Sequence, residues 1–300
     1  MSRPCRCRPA YAALFVVLVS FGALAACRRA TPQGTPVATA SLHINRDKAP
    51  IGSPIDLAYK FVVAGDAHFD QDYRVMVHVV DADNVLMWTD DHVPPTPTSQ
   101  WKPGQTIEYT RTVFIPAFPY VGEAALQIGL YSPSSGKRLT LAGEDAGQQA
   151  YKVATLQLQP QSDNLPTVFK SGWHPAESVE HNSNVTWQWT KKVATLVVKN
   201  PHKASVLFLE LDNPGGVFNE PQQVRVTIGD AVLADIAVTP QHLELHRIPI
   251  SAAQFGTADM ADIQFAVDKT FVPIDITGGT SKDPRELGVR VFHAFVEPAP

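Results

Sequence analysis

Cysteine is nearly absent from this chain. The 300 residues hold three, Cys5, Cys7 and Cys27, and none follows position 27. The body beyond that point therefore has no disulfide framework, no cysteine-ligated zinc and no cysteine nucleophile. Long apolar runs are scarce too, and Ala10 through Ala26 is the one that stands out. Long helical periodicity is missing, which argues against a helical bundle. Catalytic signatures are also missing, including the Gly-x-Ser-x-Gly elbow of serine hydrolases. Basic charge is in deficit. Lys and Arg number 25 against 29 Asp and Glu, a formal net charge of −4. That argues against nucleic acid or anionic lipid as a partner.

What is present begins at the N-terminus. Arg3, Arg6 and Arg8 precede the apolar run, and Leu24-Ala25-Ala26-Cys27 closes it. A basic end, a short apolar core and a small-residue cleavage site make a secretory signal. A cysteine at the cut makes it a lipoprotein signal, with Cys27 as the lipid attachment point. The run of about 17 residues is at the low edge of what spans a bilayer, so a retained anchor helix is one alternative and a plain cleaved signal the other. Several acyl chains on Cys27 would hold the protein firmly to a membrane. Arg28, rather than Asp, follows the cysteine, which favours the outer membrane of the bacterial envelope. Removing residues 1–26 removes three arginines and no acid, taking the formal net charge to −7.

Residues 27–40 are rich in Thr, Pro, Ala and Gly and read as a lipidated flexible tether. The rest predicts an all-β chain of two tandem β-sandwiches, with 25 prolines and closely spaced turn signals as the compositional sign. Residues 41–160 predict an immunoglobulin-like sandwich of about seven strands. Tyr73, Val75, Val77 and Val79 alternate there with Arg74, Met76 and His78. Arg111 interrupts the apolar face of Ile107, Tyr109, Val113 and Ile115, which leaves that register open. Residues 161–300 predict a jelly-roll-like sandwich of eight or more strands. Val185–Trp189 and Ala194–Lys199 are separate strands in this reading, Gly229-Asp230 is a hairpin turn, and Ser251–Phe255 and Pro284–Leu287 are single helical turns.

Trp173, His174, Trp187 and Trp189 are the candidates for glycan contact. Val185, Trp187 and Trp189 alternate as an inward face does, so core packing is the stronger reading for the strand pair. Trp173, between Gly172 and Pro175, reads as a loop residue and the better exposed contact. Asp81, Asp83 and Asn84 have an oxygen-rich spacing but lack the Gly and distal Glu of a calcium loop, so a structural turn is expected. His68, His78 and His92, with Asp90 and Asp91, are too dispersed to argue for a metal. Arg285, between Asp283 and Glu286, is expected to pair internally and pin the last strand. No metal site, cofactor or catalytic residue is expected.

Two stretches carry a resemblance. The first is Asp91-His92-Val93-Pro94-Pro95 through Trp101-Lys102-Pro103-Gly104, with Gly129-Leu130-Tyr131 and Lys137-Arg138-Leu139. The second is Gly172-Trp173-His174-Pro175-Ala176-Glu177, then Trp187-Gln188-Trp189-Thr190, Phe271-Val272-Pro273 and Asp283 to Val289. Together they resemble β-sandwich modules of uncharacterised bacterial envelope lipoproteins. They are also similar to modules appended to membrane glycosyltransferases of polysaccharide pathways. The resemblance implies an envelope setting and no activity, because the transferases' catalytic regions have no counterpart here.

The expectation from sequence is thus a non-enzymatic, lipid-anchored envelope protein. It would bind a glycan or support a surface-polysaccharide or export assembly with other envelope proteins. A lipid-anchored polysaccharide hydrolase and a structural or protein-interaction module are the alternatives.

Overall fold

The computed structural model describes residues 34–117, 120–161, 167–179, 182–278 and 280–299. Cys27 and the signal segment lie outside the described residues. Among the described residues no helix is long and apolar enough to cross a membrane. The chain is all-β, and among the described residues the two α-helices have four residues each.

The first body contains β1 (Ala38–Ile44), β2 (Lys48–Pro50), β3 (Pro54–Val63), β4 (Arg74–Val80), β5 (Leu86–Thr89), β6 (Thr106–Phe114), β7 (Gly122–Tyr131), β8 (Glu144–Asp145) and β9 (Tyr151–Gln159). β1 starts inside the stretch expected to be tether. One sheet has the order β1-β3-β6 and the other β2-β9-β7-β4-β5, with β8 on β9. β2 runs parallel to β9, and the other pairings are antiparallel. An opening strand divided between two sheets in this way is an immunoglobulin-like arrangement.

Sequence alternation explains the layers. On β3, Ile55, Leu57, Tyr59, Phe61 and Val63 are each at most 2% exposed, and Asp56, Lys60 and Val62 point the other way. They pack against Val75, Val77, Leu126, Ile128 and Leu130 of the facing sheet. The Pro-rich stretch before Lys102 has a structural role. Trp101 enters the core against Phe61 and Phe69, at 5.1 and 5.5 Å, and its indole N–H donates to the Thr96 carbonyl.

The second body contains β10 (Thr167–Trp173), β11 (Glu177–Val179), β12 (Asn182–Lys199), β13 (Ser205–Asp212), β14 (Gln222–Ile228), β15 (Ala231–Val238), β16 (Glu244–Ile250), α1 (Ala252–Phe255), β17 (Met260–Val267), α2 (Pro273–Ile276) and β18 (Arg290–Pro298). The two strands expected at Val185–Trp189 and Ala194–Lys199 are one strand, β12. Its first half pairs with β18 at Gln188 and Trp189, and its second half pairs with β17 from Val193 onward. β12 therefore serves both layers, β12-β18-β13-β16 and β10-β12-β17-β14-β15, in a jelly-roll-like order. Gly172 lets β10 approach the corner of β12. Its φ is +76°, and a Cβ there would lie 1.9 Å from the Val193 carbonyl oxygen.

Ser251 caps α1 with a complete capping box, and Gly229 takes φ +53° in the β14–β15 hairpin. The helical turn expected at Pro284–Leu287 is absent. Leu287 instead exchanges both backbone hydrogen bonds with Phe271, which holds that stretch extended. A turn forms at α2, where Pro273 opens the helix.

Buried apolar residues form two clusters. One runs from Ala38 to Leu158 and the other from Ala194 to Val296. Between the bodies, Arg46 Nη1 meets Glu297 Oε1 at 2.6 Å. Arg247 bonds both Asp56 and Thr112. Phe114 stacks on His293 with ring centroids 4.0 Å apart and planes 2° from parallel.

Candidate functional site

The four residues expected from sequence do not form a solvent-facing shelf. Trp173 ends β10 rather than lying in a loop. It packs edge-on against Phe169 and Phe265, and its indole N–H donates to the Thr195 carbonyl at 2.8 Å. Trp173 is half-buried, and its indole N–H and ring edge are engaged in packing rather than presented freely as a loop residue's would be. His174 is buried. Its Nε2 meets the Glu286 carbonyl at 2.7 Å, and its backbone bonds Trp189 and Gln188.

Trp187 and Trp189 do share a face, but it is the outer face of the sheet. Trp189 pairs in register with Arg290, whose neighbours Val289 and Val291 belong to the core. Trp189 is 7% exposed because Phe271 covers it edge-on at 5.7 Å. Trp187 is half-buried beside Phe292. The Arg290 guanidinium lies 5.1 Å from the Trp187 ring and 5.8 Å from the Trp189 ring. Asp212 holds it there through two bonds of 2.7 and 2.5 Å.

The other sequence candidates are structural. Asp81 accepts from the Asp83 and Val85 amides, which makes an Asx-type turn. Arg285 binds Asp283 and also reaches Glu177 Oε1 at 2.6 Å. The Arg285 guanidinium lowers the Asp283 pKa to about 2. Among the described residues no group of three His, Cys, Asp or Glu could hold a metal ion.

A polar cluster does form where sequence left a gap. Arg111 keeps its inward direction on β6, and Asp90 is what it meets. Nε and Nη2 of Arg111 donate to the two Asp90 oxygens at 3.0 and 2.8 Å. The Tyr59 hydroxyl also donates to Asp90, at 3.3 Å. His92 Nε2 meets the Tyr109 hydroxyl at 2.8 Å, and Tyr109 stacks on Tyr59. Burial chiefly, with Arg111 beside it, lowers the His92 pKa, and burial raises those of Tyr59 and Tyr109. His78 is lowered by burial and takes no part in the cluster, and His68 is exposed.

Asp90 and Arg111 open onto a cleft of about 520 Å³ between the two bodies. Its other wall carries Glu210 and His293, joined through Oε2 and Nδ1 at 2.6 Å. Leu86, Val185 and Leu243 line it while remaining 48, 37 and 49% exposed. Phe114 and Trp88 complete its apolar surface. Sequence reasoning missed Glu210, His293 and Phe114. Only the interruption at Arg111 pointed toward this place.

No family model matches the chain, and no curated protein matches it. Among solved structures it is similar to the tandem CBM22 domain of Xyn10C from Paenibacillus barcinonensis, with 9% identity and a TM-score of 0.28. That match covers 83% of this chain and 80% of the other. It is also similar to the CBM51-2 and INT domains of ZmpB from Clostridium perfringens, in complex with GlcNAc, with 11% identity and a TM-score of 0.26. That match covers 86% of this chain and 40% of the other. A third is the alkylpurine DNA glycosylase AlkC of Pseudomonas fluorescens, with 12% identity and a TM-score of 0.27, covering 41% of this chain and 31% of that one. The chain thus spans about a third of the glycosylase chain and two fifths of the ZmpB chain. Likenesses at such TM-scores carry no functional argument.

Proposed function

We propose that this chain is a lipid-anchored protein of the bacterial cell envelope that binds a neutral glycan between its sandwiches without transforming it. The anchoring rests on the signal ending at Cys27. The binding rests on one observation: the cleft carries two acid–base pairs, Asp90–Arg111 and Glu210–His293, beside exposed aliphatic side chains. Asp90 is ion-paired with Arg111 and Glu210 is hydrogen-bonded to His293, so neither carboxylate stands alone to draw a strongly charged ligand. Arg111 Nη1 and Glu210 Oε1 supply a donor and an acceptor to a hydroxyl-rich chain, and the aliphatic rim suits its C–H faces. Both Asp90 oxygens are engaged by Arg111, which leaves this carboxylate poorly placed to act on a glycosidic bond and weighs against the hydrolase alternative. A protein-interaction module is the second reading, favoured by the exposure of Leu86, Val185 and Leu243.

The lipoprotein purified in detergent is expected to retain neutral glycans on an array of neutral and acidic bacterial glycans. Glu210→Gln should weaken that binding about tenfold, the scale of one hydrogen bond to a charged group. An array without signal, together with an envelope protein co-purifying from cells, would move the assignment to the second reading. Separately, Cys27→Ser should abolish incorporation of labelled palmitate and leave the precursor unprocessed. A wild-type protein that carries no labelled lipid would remove the anchor.

A further inference from the structure

We propose that the two sandwiches form a clamp that closes and opens by making and breaking the contacts of Arg46, Phe114, Arg247 and His293 with their partners. Each body is complete without the other, because each has its own apolar cluster. The contacts that join them combine partly exposed charged pairs with the Phe114–His293 stack. The Arg46–Glu297 pair is about a quarter exposed on both sides. Arg247 is 48% exposed and Asp56 30%. Ion pairs of this kind are weak and screened by salt.

The surfaces beside the strip are not packed together. Along β18 the cleft described above lies at His293. A second cleft of about 700 Å³, lined by Arg46, Lys48, Val206 and Glu297, lies toward the strand's other end. A contact flanked by open space at both ends is small, and domains without a large apolar interface are expected to move relative to each other. Arg247 is the central closing contact. It reaches Asp56 and Thr112 of the first body while lying over the Phe208 ring of its own sheet, 5.5 Å from the centroid. Phe208 is 8% exposed on that outer face, and opening would uncover it. Loosening these contacts would change the separation of Asp90–Arg111 from Glu210–His293 and so the width of the binding cleft.

Spin labels at Lys102→Cys and Asp230→Cys, on exposed turns of the two bodies, test this in the full chain. A control without either new cysteine identifies any label taken up at Cys5, Cys7 or Cys27. At low salt one dominant distance is expected. High salt, or Arg46→Ala combined with Arg247→Ala, should add a second, longer distance, and Arg247→Lys should give an intermediate population. One narrow distance, unchanged by salt and in all variants, would overturn the clamp. The distances are read without any glycan, so the result stands apart from what the cleft binds.

Discussion

Trp189→Ala is expected to destabilise the second sandwich by about 3–5 kcal/mol, the usual range for deleting a large buried aromatic side chain. Trp189 is 7% exposed, covered by Phe271 and flanked by the Arg290 guanidinium. Removing the indole leaves a void and strips one wall from the Arg290–Asp212 pair, whose aspartate side chain is 9% exposed. Trp187→Ala should cost less, about 1–2 kcal/mol, because its half-buried ring gives up less apolar area. Chemical denaturation of the two variants checks the order. Equal midpoints for Trp189→Ala and the wild type would contradict the packing described here.

The same two residues show how far sequence reasoning reached. Period-2 alternation placed Val185, Trp187 and Trp189 on one face, and they share one. Alternation cannot say which face is covered, and here the cover comes from Phe271, far along the chain. The all-β class and most strand positions were legible because apolar alternation and turn residues are local signals. The continuity of β12 was not. Thr190 to Val193 reads as a break between two strands, yet one strand continues there between two different partners. The cleft was the least legible part. Glu210 and His293 are ordinary polar residues on outward strand positions, and only the packing of one body on the other brings them opposite Asp90 and Arg111. The one clue was an arginine where an apolar side chain was due, and its meaning depended on a carboxylate 21 residues away.

Arg111→Met should destabilise the first sandwich by about 3 kcal/mol, toward the low end for a broken buried pair because the guanidinium reaches solvent. The cost comes from the partner left behind. Asp90 is 17% exposed, and it would keep only the long hydrogen bond from Tyr59 and the edge of His92. Arg111→Met combined with Asp90→Leu should recover much of the loss, since no charge is then stranded. Acid separates this cost from a simple loss of packing. In the wild type, burial holds the His92 pKa below its ordinary value, so the unfolded chain takes up a proton before the native one does. Stability is then full above the ordinary histidine value of about 6.5 and falls as pH drops from there through the lowered native value. In Arg111→Met one of the influences that lowers His92 is gone, so its acid loss should shrink. The stability gap between variant and wild type should therefore be widest at neutral pH and narrow as the pH falls below about 6.5, whereas a gap independent of pH would mean that Arg111 contributes through packing alone.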